Sequence, residues 1–304
     1  MEHETVVREG KIFHQIRKAR LFSLVGLGEK STLSRFEHGD SSLRMETALP
    51  IFEKVHLSMD DFSDLLNEDR PSETKLLYQK VFDAFCTLNT EKLLVIQKEA
   101  NKNNDVLLEL GLQSLMNEPL IATDLRAKGY HPKPLTEAQE ILVSEYIFGV
   151  DYWDSYNLFL LRCYASTLSK RMMDYVLGCL TKKSATFRHM PDRNKFLQST
   201  LNYLIAKYTS EGDRHAAEEM FNKADIFTTE NDLLNKVIRH YLKGYFDSQF
   251  DNAEAGAKKM EQAIIMLETL DDSSLSRLLT SYYGFRIVEE SQETTEQAQE
   301  KAVS

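Results

Sequence analysis

Ser31-Thr32-Leu33-Ser34-Arg35-Phe36-Glu37-His38-Gly39 is the stretch that decides how the rest of this chain is interpreted. The two leading hydroxyl residues can accept backbone N–H groups at the start of a helix, and the closing glycine suits a left-handed cap at its end. Leu33 and Phe36 are three residues apart and fall on one helical face. The pattern therefore predicts one short helix that is bounded at both ends.

The opposite face of this helix is polar and carries a single guanidinium, Arg35. Short hydroxyl donors near the positive end of a helix suit phosphate, and arginine suits guanine or phosphate, so the face is typical of a helix that reads the major groove. An ordinary amphipathic helix with a solvated polar face is the alternative. The residues that we expect to contact DNA are Gln15, Lys30, Ser31, Thr32, Ser34, Arg35 and His38.

Three segments resemble one family. Leu33 to Gly39 and Leu49 to Phe62 are similar to the helix-turn-helix domain of the Rgg regulators of Gram-positive bacteria. Tyr146 to Trp153, with the aromatic and apolar residues that follow it, is similar to the start of the tandem-helix domain of those proteins. The resemblance implies a transcription regulator in quorum sensing, which binds a short imported peptide pheromone through its C-terminal helical repeats.

Charge is distributed unevenly along the 304 residues. The chain carries a net charge of -10, yet residues 8 to 44 hold 8 Lys or Arg against 4 Asp or Glu. With 42% apolar residues the chain can build sizeable cores, so we expect a folded protein. A body with an acidic surplus is not a general binder of polyanions, and contact with nucleic acid is expected only near the N-terminus.

Cysteine usage and hydropathy indicate a cytoplasmic protein. Cys86, Cys163 and Cys179 are widely spaced and odd in number, which favours buried free thiols over a sensor role. The N-terminus is polar, and no run of 18 apolar residues occurs, so neither a signal peptide nor a membrane span is expected.

The helical pattern predicts an all-α chain in two domains. A first helix at residues 5–20, a short second helix within residues 21–30, the helix ending at His38 and two more make a five-helix helix-turn-helix domain, residues 1–66. Gly26 and Gly28 weaken the second of these helices. Residues 67–72 form a linker, and residues 73–304 form a tetratricopeptide-like domain for peptide binding and dimerisation.

An internal repeat supports the second domain. Gly212 to Ala224 superimposes on Asp251 to Ala263 at an offset of 39, with Ala216 on Ala255 and Ala224 on Ala263. Small residues at fixed positions let neighbouring helices approach closely, as in helical solenoids. A bundle of antiparallel helices without a repeat is the alternative.

The sequence contains no pattern that indicates catalysis. It has no phosphate-binding glycine loop, no nucleophile elbow and no paired histidines at metal-ligand spacing, so we expect no catalytic residue, no metal and no cofactor. A hydrolase or transferase within the helical repeats would need buried titratable groups that converge, which a sequence does not reveal.

The sequence supports peptide binding better than it supports catalysis. The first helix of each pair in a solenoid lines a concave channel, where asparagine can bond a peptide backbone and arginine can bind a carboxylate. The residues that we expect there are Asn157, Arg162, Asn202, Tyr203, Asn235, Arg239, Tyr282 and Arg286.

These expectations describe a homodimer that binds a two-fold DNA operator and a short peptide. One weakly basic reading helix binds DNA poorly, whereas two such helices about 34 Å apart add their contacts. The alternative is a helical-repeat interaction scaffold whose shortened N-terminal domain no longer binds DNA. The operator, the peptide sequence and the sign of regulation are not determined by the sequence.

Overall fold

The computed structural model describes residues 2–67, 72–183, 187, 190–230, 232–270 and 275–280, with the backbone alone at 2–6, 191 and 192. Every regular element in these residues is helical, which confirms the predicted all-α class. The helices are α1 Glu2–Ala19, α2 Lys30–Glu37, α3 Met45–Lys54, α4 Met59–Leu66, α5 Glu73–Cys86, α6 Thr90–Lys102, α7 Val106–Met116, α8 Pro119–Ala127, α9 Glu137–Phe148, α10 Ser155–Tyr164, α11 Lys170–Thr181, α12 Pro191–Ser210, α13 Arg214–Phe227, α14 Leu233–Phe250 and α15 Ala253–Thr269, followed by helical residues 275–280.

The chain divides into two compact units, Met1–Lys80, which we call the head unit, and Val81–Ser304, which we call the array unit. The division lies inside α5, whereas the sequence places the boundary at the linker 67–72. Residues 68–71 of that linker lie outside the described residues, so the domain limits 1–66 and 73–304 remain a proposal.

Residues 2–66 contain four helices and not the predicted five. The expected second helix, within residues 21–30, is replaced by turns between α1 and α2. Gly26 adopts a left-handed φ of 87°, and Leu21 adopts a φ of 61°, and neither value is compatible with a right-handed helix. The backbone at Leu21 and Gly26 therefore makes this short segment a loop.

Cationic side chains hold this loop through its carbonyl groups. Arg17 donates from NH1 to the Phe22 carbonyl at 2.6 Å, and Lys54 donates from Nζ to the Gly26 carbonyl at 3.0 Å. These bonds to charged donors satisfy carbonyl groups that a helix would have satisfied internally. The path of the loop thus depends on residues far away in the sequence.

The core of the head unit is aromatic. Phe13 of α1 is fully buried and lies 5.8 Å from the ring of Phe36 and 5.5 Å from that of Phe52. Phe62 of α4 contacts Phe52 edge to face at 4.7 Å. Helix α4 is capped at its start, because the Ser58 hydroxyl accepts the Asp61 N–H at 3.0 Å. Four helices thus share one core.

Several helices of the array unit form consecutive pairs. Helix α12 packs on α13, and α14 packs on α15, while the first helices α10, α12 and α14 are neighbours in that order. This arrangement is that of stacked helical hairpins, which agrees with the predicted repeat and not with a bundle lacking one.

The offset of 39 residues holds for the start of the second helices. Asp213 accepts the Ala216 N–H at 3.0 Å, and Asn252 accepts the Ala255 N–H at 2.9 Å, so both helices are capped at equivalent positions. Ala224 and Ala263 are both buried, as the superposition requires. Ala255 is exposed, however, whereas Ala216 is buried, so the small-residue correspondence fails at that position.

Candidate functional site

Helix α2 presents its two faces as the sequence predicts. Leu33 and Phe36 are buried at 1% and 3% exposure, and Gly39 ends the helix with φ at 80°. The seven residues expected to contact DNA all keep access to solvent. Lys30, Ser31, Arg35, His38 and Gln15 are exposed, and Thr32 and Ser34 are half-buried. Their contact with DNA remains a prediction.

The start of α2 differs from the prediction. The helix begins at Lys30, so Ser31 and Thr32 lie in its first turn and do not cap it. Their hydroxyls donate to the Glu29 carboxylate at 2.7 and 3.0 Å. These two hydrogen bonds lower the pKa of the Glu29 carboxyl. The positive end of the helix therefore carries a carboxylate where a phosphate is expected to bind.

Glu37 anchors α2 to α1 from the buried side. Its carboxylate accepts from Nε of Arg17 at 2.5 Å, from NH2 of Arg17 at 2.7 Å, and contacts Nδ1 of His14 at 2.6 Å. Burial opposes ionisation of Glu37, but the hydrogen bonds and charges of Arg17 and His14 outweigh it and lower the pKa of the carboxyl. The orientation of the polar face thus depends on this buried ion pair.

A cavity of about 470 Å³ lies within the array unit. It is bounded by α5, α10, α12, α14 and the helical residues 275–280, and its size is that of a small-molecule or peptide site. The apolar residues that line it are Phe82, Phe85, Cys86, Leu234, Ile238, Leu275, Leu278 and Leu279, and the polar ones are Arg162, Asn194, Lys195, Ser199, Asn202, Tyr203, Thr229, Asp232 and Asn235.

Four of the eight residues expected to bind peptide line this cavity together. They are Arg162, Asn202, Tyr203 and Asn235. The Asn202 amide donates to Asn235 Oδ1 at 3.0 Å, and the Asn235 amide donates to the Asp232 carboxylate at 2.9 Å. A hydrogen-bonded row of three residues thus crosses from α12 to the start of α14. Whether a peptide contacts it remains a prediction.

Two of the other expected residues, Asn157 and Arg239, are described and are not among those that line the cavity. The Asn157 amide donates to the Tyr152 carbonyl at 2.8 Å. Arg239 donates to Asp225 at 3.0 Å and to Thr228 at 2.5 Å. Tyr282 and Arg286 lie outside the described residues.

Several lining residues were not predicted. Phe82 and Phe85 lie on α5, which the sequence assigns to no helix pair, and Lys195 is an exposed cation on α12. Phe82 and Phe85 are three residues apart, which is equally typical of a helix packed in a hydrophobic core, so this spacing does not indicate a ligand site. Lys195 and Asn202 are seven residues apart and therefore lie on the same face of a helix. This spacing is the feature of the sequence that could have indicated Lys195 as a lining residue.

The sequence predicts that all three cysteines are buried, and one of the three is. Cys163 is buried, and burial raises the pKa of its thiol to about 12. Cys86 and Cys179 are half-buried reduced cysteines. Within the described ranges no group of three His, Cys, Asp or Glu is placed to hold a metal ion, and no helix is long and apolar enough to span a bilayer.

Comparison with known proteins gives a family and a fold. A family model described as the C-terminal domain of the HTH-type transcriptional regulator Rgg matches residues 89–281. The structure of the Streptococcus dysgalactiae SHP pheromone receptor Rgg2 aligns over 91% of this chain and 99% of its own, with a TM-score of 0.67 and 16% identity.

Two further structures are similar. A putative transcriptional regulator from Listeria monocytogenes EGD-e aligns over 96% of this chain and 99% of its own, with a TM-score of 0.73 and 11% identity. A bacterial peptide pheromone/receptor complex aligns over 90% and 98%, with a TM-score of 0.56 and 15% identity. At these identities the likeness establishes the fold of the chain.

Proposed function

Because this chain belongs to the Rgg family of HTH-type transcriptional regulators, we propose that it is a cytoplasmic, homodimeric regulator that binds DNA through α2 and a short signalling peptide in the cavity of the array unit. The cavity is the observation that supports the peptide-binding part of this proposal. It has the size of a peptide site and lies beside the first helices of the array. Relatives of the same fold include a pheromone receptor and a peptide pheromone/receptor complex that regulates genes.

The polar face of α2 supports the DNA-binding part of the proposal. Arg35, Lys30 and His38 are exposed on a short helix whose apolar residues are buried in the head unit. Such a helix can enter a major groove without unfolding its own domain. Two copies, one from each subunit, would add their phosphate contacts, which is why we propose a dimer on a two-fold operator.

Peptide binding would then control DNA binding by shifting an equilibrium. A ligand changes the population of two conformations only if it binds one of them more tightly. We propose that the peptide-filled array favours one arrangement of the paired head units on DNA. The sign of the response, activation or repression, is left open by this mechanism.

A gel shift with genomic fragments at 50 and 200 mM salt tests whether the protein binds DNA. We expect binding that weakens with salt, and we expect Arg35→Ala to lower the affinity by about 1–3 kcal/mol if Arg35 contacts a base. Arg126→Ala, which removes an exposed cation from α8 of the array unit, is the matched control and should leave binding unchanged.

The competing function is that of an interaction scaffold. Two observations favour it: the loop that replaces the second helix, and the Glu29 carboxylate that engages the hydroxyls of Ser31 and Thr32. If no fragment binds above background at 50 mM salt, the scaffold replaces the regulator as the better proposal.

A further inference from the structure

Arg162 is the lining residue best suited by chemistry to bind a carboxylate, but its guanidinium is already occupied. NH1 and NH2 donate to the Glu118 carboxylate at 2.5 and 3.3 Å, and Nε donates to the Ser199 hydroxyl at 3.2 Å. Glu118 is fully buried. Drawing Arg162 towards a ligand would leave that carboxylate buried without its ion pair, which is strongly unfavourable.

Two aromatic rings also contact the Arg162 guanidinium. The ring of Phe85 lies 4.9 Å from its central carbon, and the ring of Tyr203 lies 4.8 Å from it. Cation–π contacts with two rings further restrict the orientation of a planar guanidinium. Arg162 therefore serves as part of the cavity wall.

Lys195 differs from Arg162 in each of these respects. Its side chain is exposed, it lines the same cavity, and its ammonium lies 4.2 Å over the ring of Phe82. No carboxylate of the described residues lies within ion-pair distance of it. Lysine is a flexible point charge that can turn towards an anion at little cost.

Among the described residues, the other charged residue of the lining is Asp232, and its carboxylate is held by hydrogen bonds. Its carboxylate accepts the backbone and side-chain N–H groups of Asn235 at the start of α14. Most of the other lining is apolar. Those hydrogen bonds fix the Asp232 carboxylate at the start of α14, so Lys195 is the described cation of the lining that is both mobile and outside an ion pair.

We propose that Lys195 holds the anionic group of the ligand, and that the ligand is an apolar peptide with one carboxylate placed against α12. This inference rests on the proposed peptide-binding function of the array unit. It replaces the expectation that Arg162 binds the carboxylate. Either the C-terminus of the peptide or one acidic side chain can supply that group.

Two fluorescent probes of one shape test the proposal on the full chain. They are 1-anilinonaphthalene-8-sulfonate, which is anionic, and N-phenyl-1-naphthylamine, which lacks the sulfonate. We expect Lys195→Met to weaken binding of the anionic probe by about tenfold, the loss of one charge-assisted contact, and to leave the neutral probe unchanged. Lys195→Arg should restore binding of the anionic probe.

Lys258→Met, at an exposed lysine of α15 outside the cavity lining, is the matched control and should change neither probe. If Lys195→Met leaves both probes unchanged, or weakens both equally, the proposal is overturned. Neither result depends on DNA, so a failure here is distinct from a failure of the gel shift.

A second arm identifies the source of the carboxylate. Mixtures of apolar hexapeptides are used to displace the anionic probe as free acids, as C-terminal amides, and as amides that contain one aspartate. Displacement that is stronger for the free acids, or for the aspartate amides, and that is lost in Lys195→Met supports the proposal and names the group. Equal displacement by all three mixtures contradicts it.

Discussion

Arg17 and Glu37 form a bidentate ion pair in the interior of the head unit, with Nε to Oε1 at 2.5 Å and NH2 to Oε2 at 2.7 Å. Arg17 comes from the end of α1 and Glu37 from the last turn of α2. The same guanidinium bonds the Phe22 carbonyl in the loop between them. One buried pair therefore joins the two helices and the segment that connects them.

We expect Glu37→Gln to destabilise the head unit by about 3–5 kcal/mol, because it leaves the Arg17 charge buried without a counter-ion. Amide hydrogen exchange of α1 and α2 in the full chain measures this loss. The single tryptophan of the chain, Trp153, lies in the array unit, so its fluorescence should show unchanged unfolding there. Unchanged exchange in α1 and α2 would contradict the prediction.

The same variant should alter the response of the head unit to acid. The pKa of Glu37 is lowered in the folded state, so its ion pair stabilises above the ordinary carboxyl pKa of about 4.3 and loses this effect as pH falls through the folded pKa. Exchange protection of α2 should therefore fall more steeply below about pH 4.3 in the natural chain than in Glu37→Gln. Equal slopes would mean that another carboxylate dominates.

Glu29→Gln tests the carboxylate at the start of α2. The change removes a negative charge from the proposed phosphate site and weakens the hydrogen bonds that hold the hydroxyls of Ser31 and Thr32. We expect tighter DNA binding at 50 mM salt, and one added phosphate contact would steepen the log–log salt slope by about 0.9. Glu91→Gln, at an exposed carboxylate of α6, makes the same change in net charge as a control.

The two left-handed glycines of the head unit differ in their surroundings. A Cβ added at Gly39 would lie 2.6 Å from a side-chain carbon of Val7, whereas one added at Gly26 would meet nothing within 4 Å. We expect Gly26→Ala to cost about 1–2 kcal/mol for the left-handed backbone alone. Gly39→Ala should cost more, and hydrogen exchange of the two variants measures the difference. A smaller loss at Gly39 would show that the chain near Val7 moves aside readily.

The cysteines should report occupancy of the cavity. With N-ethylmaleimide at pH 7.5 we expect Cys86 and Cys179 to react, while Cys163 stays unmodified because it is buried and its thiol pKa is raised to about 12. Cys86 lines the cavity, so a bound ligand should slow its reaction by about tenfold at nine-tenths occupancy. Cys179 serves as the internal control, and mass spectrometry follows each site. Equal protection of both cysteines would point to a change outside the cavity.

Some features of this chain followed from the sequence alone, because they depend on residues close together along it. The spacing of Leu33 and Phe36 determines a helix and its buried face, and Gly39 determines where that helix ends. Asp213 and Asn252 mark the starts of two equivalent helices through local caps. The all-α class and the family likewise follow from local pattern and motif.

The tertiary structure decided what depends on distant partners. The loop before α2 takes its path from the bond of Lys54 to Gly26, 28 residues away, and no local rule predicts it. Arg162 is paired with Glu118, 44 residues before it, and this pairing is the reason that we propose Lys195 for the carboxylate of the ligand. A sequence shows which groups are charged, but only the packed chain shows which charges are already neutralised, since pairing depends on distance in space.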